Sequence, residues 1–289
     1  MRFEKWQALG NDYVIIEAEE LPWDLTPERI RVLCAPHTGI GSDGILLLSR
    51  TNTAGSVAHL RIFNPDGSEA ELSGNGAREA ILYLRAHGWT DQDQFSIDTA
   101  AGEIRPTITG PDSCRVDMGR AHTTSKDFPS GGVDGRGRVE SAGRSWEFQH
   151  AQVGNPQAAI LVPDLDTLLG LDLPTIGPDI EHAAIFPQRT NVSFYTPLAA
   201  PAGGEGSRIR ARIFERGVGE TAASGTGATG AAVAHVLRGG DSPVTVVLDG
   251  GELVVEVEED LHITLSGWAR PVFAATLSPE LTEELHATV

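Results

Sequence analysis

The sequence predicts an α+β fold of two pseudosymmetric domains, each a curved sheet or barrel around one central helix. Three observations carry this prediction. Arg61–Ala77, reading RIFNPDGSEAELSGNGA, returns without a gap at Arg212–Ala228 as RIFERGVGETAASGTGA, with eight identities in seventeen positions at an offset of 151. A match of that density marks two copies of one module. Each copy runs into one Ala- and Leu/Val-rich helical stretch surrounded by many short strand-like segments. Finally, 289 residues are enough for two domains that each bury a core. The expected division is residues 1–118 with the C-terminal 269–289, and residues 119–268.

In chain order, residues 1–20 read as a strand, the turn Leu9-Gly10-Asn11-Asp12 and a second strand from Tyr13 to Ile16. Leu25–Ala35 is helical, with Thr26 as N-cap and Pro27 at the first helical position. Thr38–Gly44 is a glycine-rich turn feeding the strand Ile45–Leu48, and Ala58–Phe63 alternates as a strand does. Asn64-Pro65-Asp66-Gly67 is a turn, and the helix after Ser73 runs to about His87, where Gly88 stops it. Phe95–Asp98, Glu103–Ile108 and Arg115–Met118 are short strands. Ala121–Gly143, polar and rich in Gly and Ser, reads as a loop or crossover near the domain boundary. The second half begins with the strand Trp146–Val153, and Val153-Gly154-Asn155 echoes Leu9-Gly10-Asn11 at an offset of 144. Asp164–Leu169 is a short helix, Thr190–Phe194 starts a strand, and Pro197–Gly206 is a loop. Val244–Leu248, Leu253–Val257 and Ile263–Leu265 complete the second set of strands, and Pro271–Ala275 pairs back with the first domain.

Composition narrows the function. A net charge of −18 argues against a nucleic-acid surface, which needs clustered Lys and Arg. Two cysteines, Cys34 and Cys114, do not make a disulfide framework, and Cys34, on the first helix, reads as a buried structural thiol. No apolar run reaches membrane-spanning length and the N-terminus lacks a signal core, so a cytoplasmic protein with no membrane partner is expected.

The repeated motif carries chemistry. Ser-Gly-x-Gly at a helix start presents backbone N–H groups with no intrahelical partner, backed by the helix dipole, and such amides bind a carboxylate. Neither copy ends in the Gly-Lys-Ser/Thr of a phosphate loop, and neither fits the Gly-x-Ser-x-Gly of a nucleophile elbow. Two such starts, at Ser73 and Ser224, facing each other across a cleft, would suit abstraction of a proton α to a carboxylate, with the amides stabilising the enediolate.

NPDGSEAELSGNGAR and FERGVGETAASGTGA resemble the paired signature motifs of the diaminopimelate epimerase family. LGNDY at 9–13, HTGIGSDG at 37–44, GNP at 154–156 and FPQRTNVSF at 186–194 do so as well. The resemblance spans nearly the whole chain in order. It implies two pseudosymmetric domains and a two-base interconversion of LL- and meso-diaminopimelate, with no pyridoxal phosphate, other cofactor or metal. The product feeds lysine and peptidoglycan synthesis. By resemblance, Ser73 and Ser224 stand at the catalytic positions, and Gly74, Asn75, Gly225 and Thr226 supply the amides around the reacting carboxylate. Asn11, Asn64, Asn155, Asn191, Glu215 and Arg216 hold the other, non-reacting amino-acid end. Arg216 suits a carboxylate and Glu215 an ammonium. A homodimer is the expected assembly.

The chain departs from the family pattern where the chemistry is done. The family has cysteine where Ser73 and Ser224 stand. A thiol has a reference pKa of about 8.5 and falls further at a helix N-terminus, whereas a serine hydroxyl is far less acidic. Neither motif carries a His or Lys beside its serine. Gln157 occupies the place where GNP is usually followed by His, and Gly44 a place where some members carry Gln. Three readings follow: an epimerase silenced at both acid–base positions, a relative acting on another amino acid by epimerisation or elimination, and a non-catalytic amino-acid-binding protein.

Overall fold

The computed structural model describes residues 1–70, 73–199 and 205–288, so Glu71 and Leu72 of the first motif and residues 200–204 of the expected loop lie outside it. The chain divides into two compact units, Met1–Val116 with Gly267–Val289, and Asp117–Ser266.

The first unit opens with β1 (Arg2–Ala8) and β2 (Asn11–Glu17), followed by α1 (Pro27–Cys34), β3 (Ile45–Ser49), β4 (Ser56–Phe63) and the short β5 (Glu69–Ala70). Then come α2 (Gly74–Ala86), β6 (Ser96–Thr99), β7 (Gly102–Ile104), β8 (Thr107–Gly110) and β9 (Ser113–Arg120), the last running into the second unit. The second unit holds β10 (Arg136–Ser141), β11 (Arg144–Val153), β12 (Asn155–Leu161), α3 (Leu165–Leu169), α4 (Leu173–Glu181), β13 (Asn191–Leu198) and β14 (Ser207–Glu215). It continues with β15 (Gly219–Thr221), α5 (Gly225–Leu237), β16 (Val244–Leu248), β17 (Gly251–Val257) and β18 (His262–Trp268). The chain then returns to the first unit as β19 (Arg270–Thr276) and α6 (Pro279–Ala287).

The duplication is visible in strand pairing. The first unit orders its sheet β19-β1-β2-β3-β4-β6-β7, with β5 on β4. The second orders β10-β11-β12-β13-β14-β16-β17, with β15 on β14. Read from β19 in the first and from β10 in the second, the pairs run antiparallel, antiparallel, parallel, antiparallel, parallel, antiparallel. Each parallel pair needs a crossover, and a helix supplies it: α1 or α3–α4 at the first, α2 or α5 at the second. β19 therefore gives the first unit the edge strand that β10 gives the second. This is the return expected of Pro271–Ala275.

One helix is central in each unit. Every residue from Asn75 to Leu84 of α2 is buried. Helix α5 is apolar all round and contacts β11, β12, β13, β14, β16 and β17, so the sheet curls about it. Its small residues permit that approach. A Cβ on Gly227 would meet the Ile213 side chain at 2.7 Å, and one on Gly230 would meet Gln157 Cβ at 2.7 Å. The outer faces are covered by α1 and α6 over Phe3, Val14, Ile16 and Phe63, and by α3 and α4 over Trp146, Phe148, Phe194 and Phe214.

The structure corrects several sequence expectations. The stretch read as a loop at Ala121–Gly143 contains β10, whose inward Val139 packs in the aromatic core. β13 runs on through Pro197 and Leu198, taking in the start of the expected loop. Glu103–Ile108 is two strands, β7 and β8. Helices α4 and α6 have no counterpart in the sequence reading, α4 because Pro178 lies inside it.

Candidate active site

The identities of the repeat form the same local structure twice. Arg61 at the end of β4 pairs with Glu69 on β5, donating from Nε at 2.9 Å and from Nη2 at 2.8 Å. Arg212 on β14 does the same with Glu220 beside β15, from Nε at 2.8 Å. These pairs tie each short strand to the long one, and the chain between them turns into the helix. Ser73 and Ser224 are the N-caps of α2 and α5, both extended in backbone. Their Oγ atoms accept from Gly76 N at 3.1 Å and Gly227 N at 3.2 Å. The first intrahelical bonds are Ala77 N to Ser73 O and Ala228 N to Ser224 O, at 2.8 and 2.9 Å. Gly74 and Asn75, and Gly225 and Thr226, thus stand ahead of the helical ladder, where amides point out of the helix end. This is an anion-receiving arrangement built twice.

The turn asparagine of each unit reaches the variable residue of Ser-Gly-x-Gly. In the first unit Asn75 Nδ2 donates to Asn11 Oδ1 at 3.1 Å, and Asn11 Nδ2 donates to Asp43 Oδ2 at 2.7 Å. In the second, Asn155 Nδ2 donates to Thr226 Oγ1 at 3.4 Å. Arg78, fully buried, closes the first arrangement by donating to Asn75 Oδ1 at 2.7 Å and Gly74 O at 2.9 Å. Asn64 donates to Ser68 Oγ within its turn at 3.0 Å.

The two serines differ in what stands beside them. Ser224 Oγ donates to Glu215 Oε2 at 2.9 Å, while Thr221 Oγ1 donates to Glu215 Oε1 at 2.8 Å. Burial pushes the Glu215 carboxyl above its usual range, partly offset by those two hydroxyls. Ser73 Oγ instead lies 3.2 Å from the Tyr13 phenol oxygen. Glu215, expected to hold an ammonium at the non-reacting end of a ligand, is in the structure bonded to Ser224 itself, a partner the sequence reading did not foresee. The signal was missed because Glu215 and Ser224 are nine residues apart, and only the β14–β15 turn brings them together.

Arg216 lies on the turn after β14. Its backbone N donates to the buried Asn191 Oδ1 at 2.8 Å, and its Nη1 donates to Gln188 O at 2.9 Å. Asn191 in turn donates to Pro156 O at 3.3 Å. Of the expected residues, the first unit gathers Asn11, Ser73, Gly74 and Asn75, and places Asn64 on the turn after β4. The second gathers Glu215, Ser224, Gly225, Thr226 and Asn155, with Asn191 and Arg216 as a neighbouring pair.

The departures at 44 and 157 have physical accounts. A Cβ on Gly44 would sit 2.3 Å from Phe63 O and 2.6 Å from the Tyr13 ring, so glycine there is a packing requirement. Gln157 is fully buried, donates from Nε2 to Asn155 Oδ1 at 2.6 Å, and keeps Oε1 without a hydrogen-bond partner. It orients Asn155 and leaves one acceptor toward α5. The cysteines do not replace the missing thiols. Both are buried, and desolvation raises Cys34 and pushes Cys114 up to about 12, so neither forms a thiolate readily. Among the described residues no group of three His, Cys, Asp or Glu side chains could hold a metal ion, and no helix is long and apolar enough to cross a membrane.

The chain is thus a duplicated α+β module with a serine-capped, amide-presenting helix start in each copy. Solved structures share the fold. A phenazine biosynthesis protein of the PhzF family from Bacillus anthracis superposes with a TM-score of 0.66 at 17% identity, covering 96% of this chain and 99% of its own. A hydroxyproline epimerase from Agrobacterium vitis, with bound trans-4-hydroxy-L-proline, gives 0.65 at 15%, covering 98% and 94%. Sequence is more specific. The diaminopimelate epimerase family model matches residues 3–124 and 150–271. Diaminopimelate epimerase 2 of a Nostoc species is 39% identical over 97% of both chains, and diaminopimelate epimerase of Moorella thermoacetica 37% over 94% of this chain and 98% of its own. This chain belongs to the diaminopimelate epimerase family.

Proposed function

We propose that the chain binds diaminopimelate, and that serine at 73 and 224 leaves it strongly impaired as a cofactor-independent, two-base epimerase. The observation that carries this reading is the pair of matched helix starts, each with a hydroxyl oxygen beside open-end amides. By the family resemblance, Ser73 and Ser224 are the two acid–base positions at the reacting carbon. The amides of Gly74, Asn75, Gly225 and Thr226 take the adjacent carboxylate and stabilise the enediolate as the proton leaves. Arg216, Asn11, Asn64, Asn155 and Asn191 hold the distal amino-acid group. Glu215, which the resemblance assigns to that same end, is also bonded to Ser224.

The unequal neighbours of the two serines give the residual chemistry a direction. A proton taken by Ser224 Oγ can be matched by transfer of that hydroxyl's own proton to Glu215, whose raised pKa improves it as an acceptor. On the other side, Ser73 Oγ accepts from the Tyr13 hydroxyl, which is a donor there and not a carboxylate that takes up the serine proton. One-sided proton exchange is therefore favoured over inversion. Calorimetric titration with diaminopimelate and with lysine, which lacks the distal carboxylate, tests the binding half of the proposal. Tight binding of the first and weak binding of the second is expected, and equal affinity rejects it.

The same reading places the chain in the cytoplasm, at the step feeding lysine and peptidoglycan synthesis. It also makes a second copy of the chain the expected partner. Val272 and Phe273 on the edge strand β19, 53% and 44% exposed, support that assembly, which light scattering of the intact chain checks.

A further inference from the structure

We infer that Glu181, the last residue of α4, is the positioning residue for Arg216. The inference rests on the reading that Arg216 grips the distal carboxylate of the ligand. Glu181 is 3% exposed, and its Oε1 accepts from Gly217 N at 2.9 Å. Asn191, also 3% exposed, accepts from the preceding amide, Arg216 N, at 2.8 Å. Two successive N–H groups of the turn are thus caught by two buried side chains from different elements. The turn has few other ways to hold its shape: Gly217 and Gly219 have φ of 76° and 105°, and the turn's own backbone bond is Val218 N to Glu215 O at 3.0 Å.

Glu181 also reaches the segment that receives the guanidinium. Arg189 Nη1 lies 3.6 Å from Glu181 Oε1, and Arg189 holds a left-handed backbone with φ 60°. The residue before it, Gln188, supplies the carbonyl that accepts from Arg216 Nη1. One buried carboxylate therefore joins the 215–219 turn to the 186–191 segment, and Arg216 is fixed through both. Without the carboxylate, Gly217 N loses its acceptor, the turn gains freedom, and the guanidinium must be ordered at the moment of binding, which lowers affinity.

The test is calorimetric titration of the intact chain with diaminopimelate and lysine. The variants are Arg216→Ala, Glu181→Met, Glu181→Gln and the double Glu181→Met with Arg216→Ala. Glu181→Met should weaken diaminopimelate about tenfold and leave lysine unchanged, the scale of one lost hydrogen bond. Glu181→Gln, which still offers an oxygen to Gly217 N, should stay within about twofold of the parent. The double variant should bind no more weakly than Arg216→Ala alone. A loss shared equally by both ligands, or full discrimination in Glu181→Met beside a lost one in Arg216→Ala, overturns the inference alone. Unchanged discrimination in Arg216→Ala overturns the Arg216 reading and the inference with it. Should the Met variant not fold, Glu181→Asp shortens the reach by one methylene and must show the same selective loss; retained discrimination there is equally decisive against it.

Discussion

Arg61 and Arg212 occupy the same position of the repeat, yet the structure predicts that they matter very differently. Arg61 is 44% exposed in its side chain, pairs with Glu69, and lies over the Phe63 ring at 4.8 Å. An exposed pair of this kind contributes at most about 1 kcal/mol. Arg212 is 13% exposed. Besides Glu220, its Nη1 donates to Leu168 O at 2.9 Å and to Leu171 O at 2.8 Å, at the C-terminal end of α3. Arg212→Met removes the donor to these two carbonyls and to Leu169 O, 3.3 Å away, and leaves Glu220, 26% exposed, without its cation. At about 1 kcal/mol for each of the two shorter carbonyl bonds, and somewhat more for the carboxylate, the loss is about 3–4 kcal/mol. For a unit of this size each kcal/mol moves the midpoint by about 2–4 °C, so a fall of about 6–16 °C is expected. Arg61→Met should lower it by no more than about 4 °C. Differential scanning calorimetry of the two variants reads both numbers. Equal shifts, or a larger one for Arg61→Met, would refute the argument that the second copy uses its arginine to hold α3 in place.

Three other outcomes are expected. Arg216→Ala should cost about 2–5 kcal/mol in diaminopimelate affinity, the scale for truncating one partner of a buried charge pair, and little in lysine affinity; titration reads both. Burial raises the Glu79 carboxyl well above its usual range, with Arg78 pulling the other way. Its contribution to stability is therefore present below the ordinary carboxylate pKa and lost as pH rises through the folded-state value. Glu79→Gln should accordingly gain in thermal midpoint over the parent from about pH 4 upward, whereas a pH-independent difference would contradict the burial argument. Glu215→Gln should abolish any α-proton exchange that remains, since it removes the acceptor for the Ser224 hydroxyl proton, and deuterium incorporation followed by NMR checks it.

The duplication was legible because it conserves physical devices as well as letters. The arginine and glutamate of each copy form an ion pair, the serine caps a helix, and the second glycine lets the helix approach the sheet. Val244–Leu248 was readable as an apolar, β-branched run, and its burial alternates along the strand. What escaped was set by contacts distant in sequence. Val139 of β10 sits in a Gly-rich stretch whose polar residues face solvent, so its core position shows only once Trp146 and Phe148 are beside it. The Glu215–Ser224 bond depends on a turn, and the Glu181–Gly217 bond on a helix with an internal proline. Gly44 looked like a functional departure until the Phe63 carbonyl and Tyr13 ring showed that no side chain fits.

The central claim is that the fold still holds diaminopimelate while serine at both positions withholds the chemistry. Deuterium incorporation at the α-carbon, followed together with conversion between LL and meso isomers, tests it most directly. The chain itself should exchange slowly and on one face, with no measurable inversion. Ser73→Cys or Ser224→Cys alone should remain poor at inversion, because the two positions act as a unit, and the two together should restore it far beyond the sum of the singles. Inversion by the unmodified chain at rates typical of enzymes, about 1–1000 per second, would contradict the account, as would a double cysteine variant that binds diaminopimelate and inverts nothing.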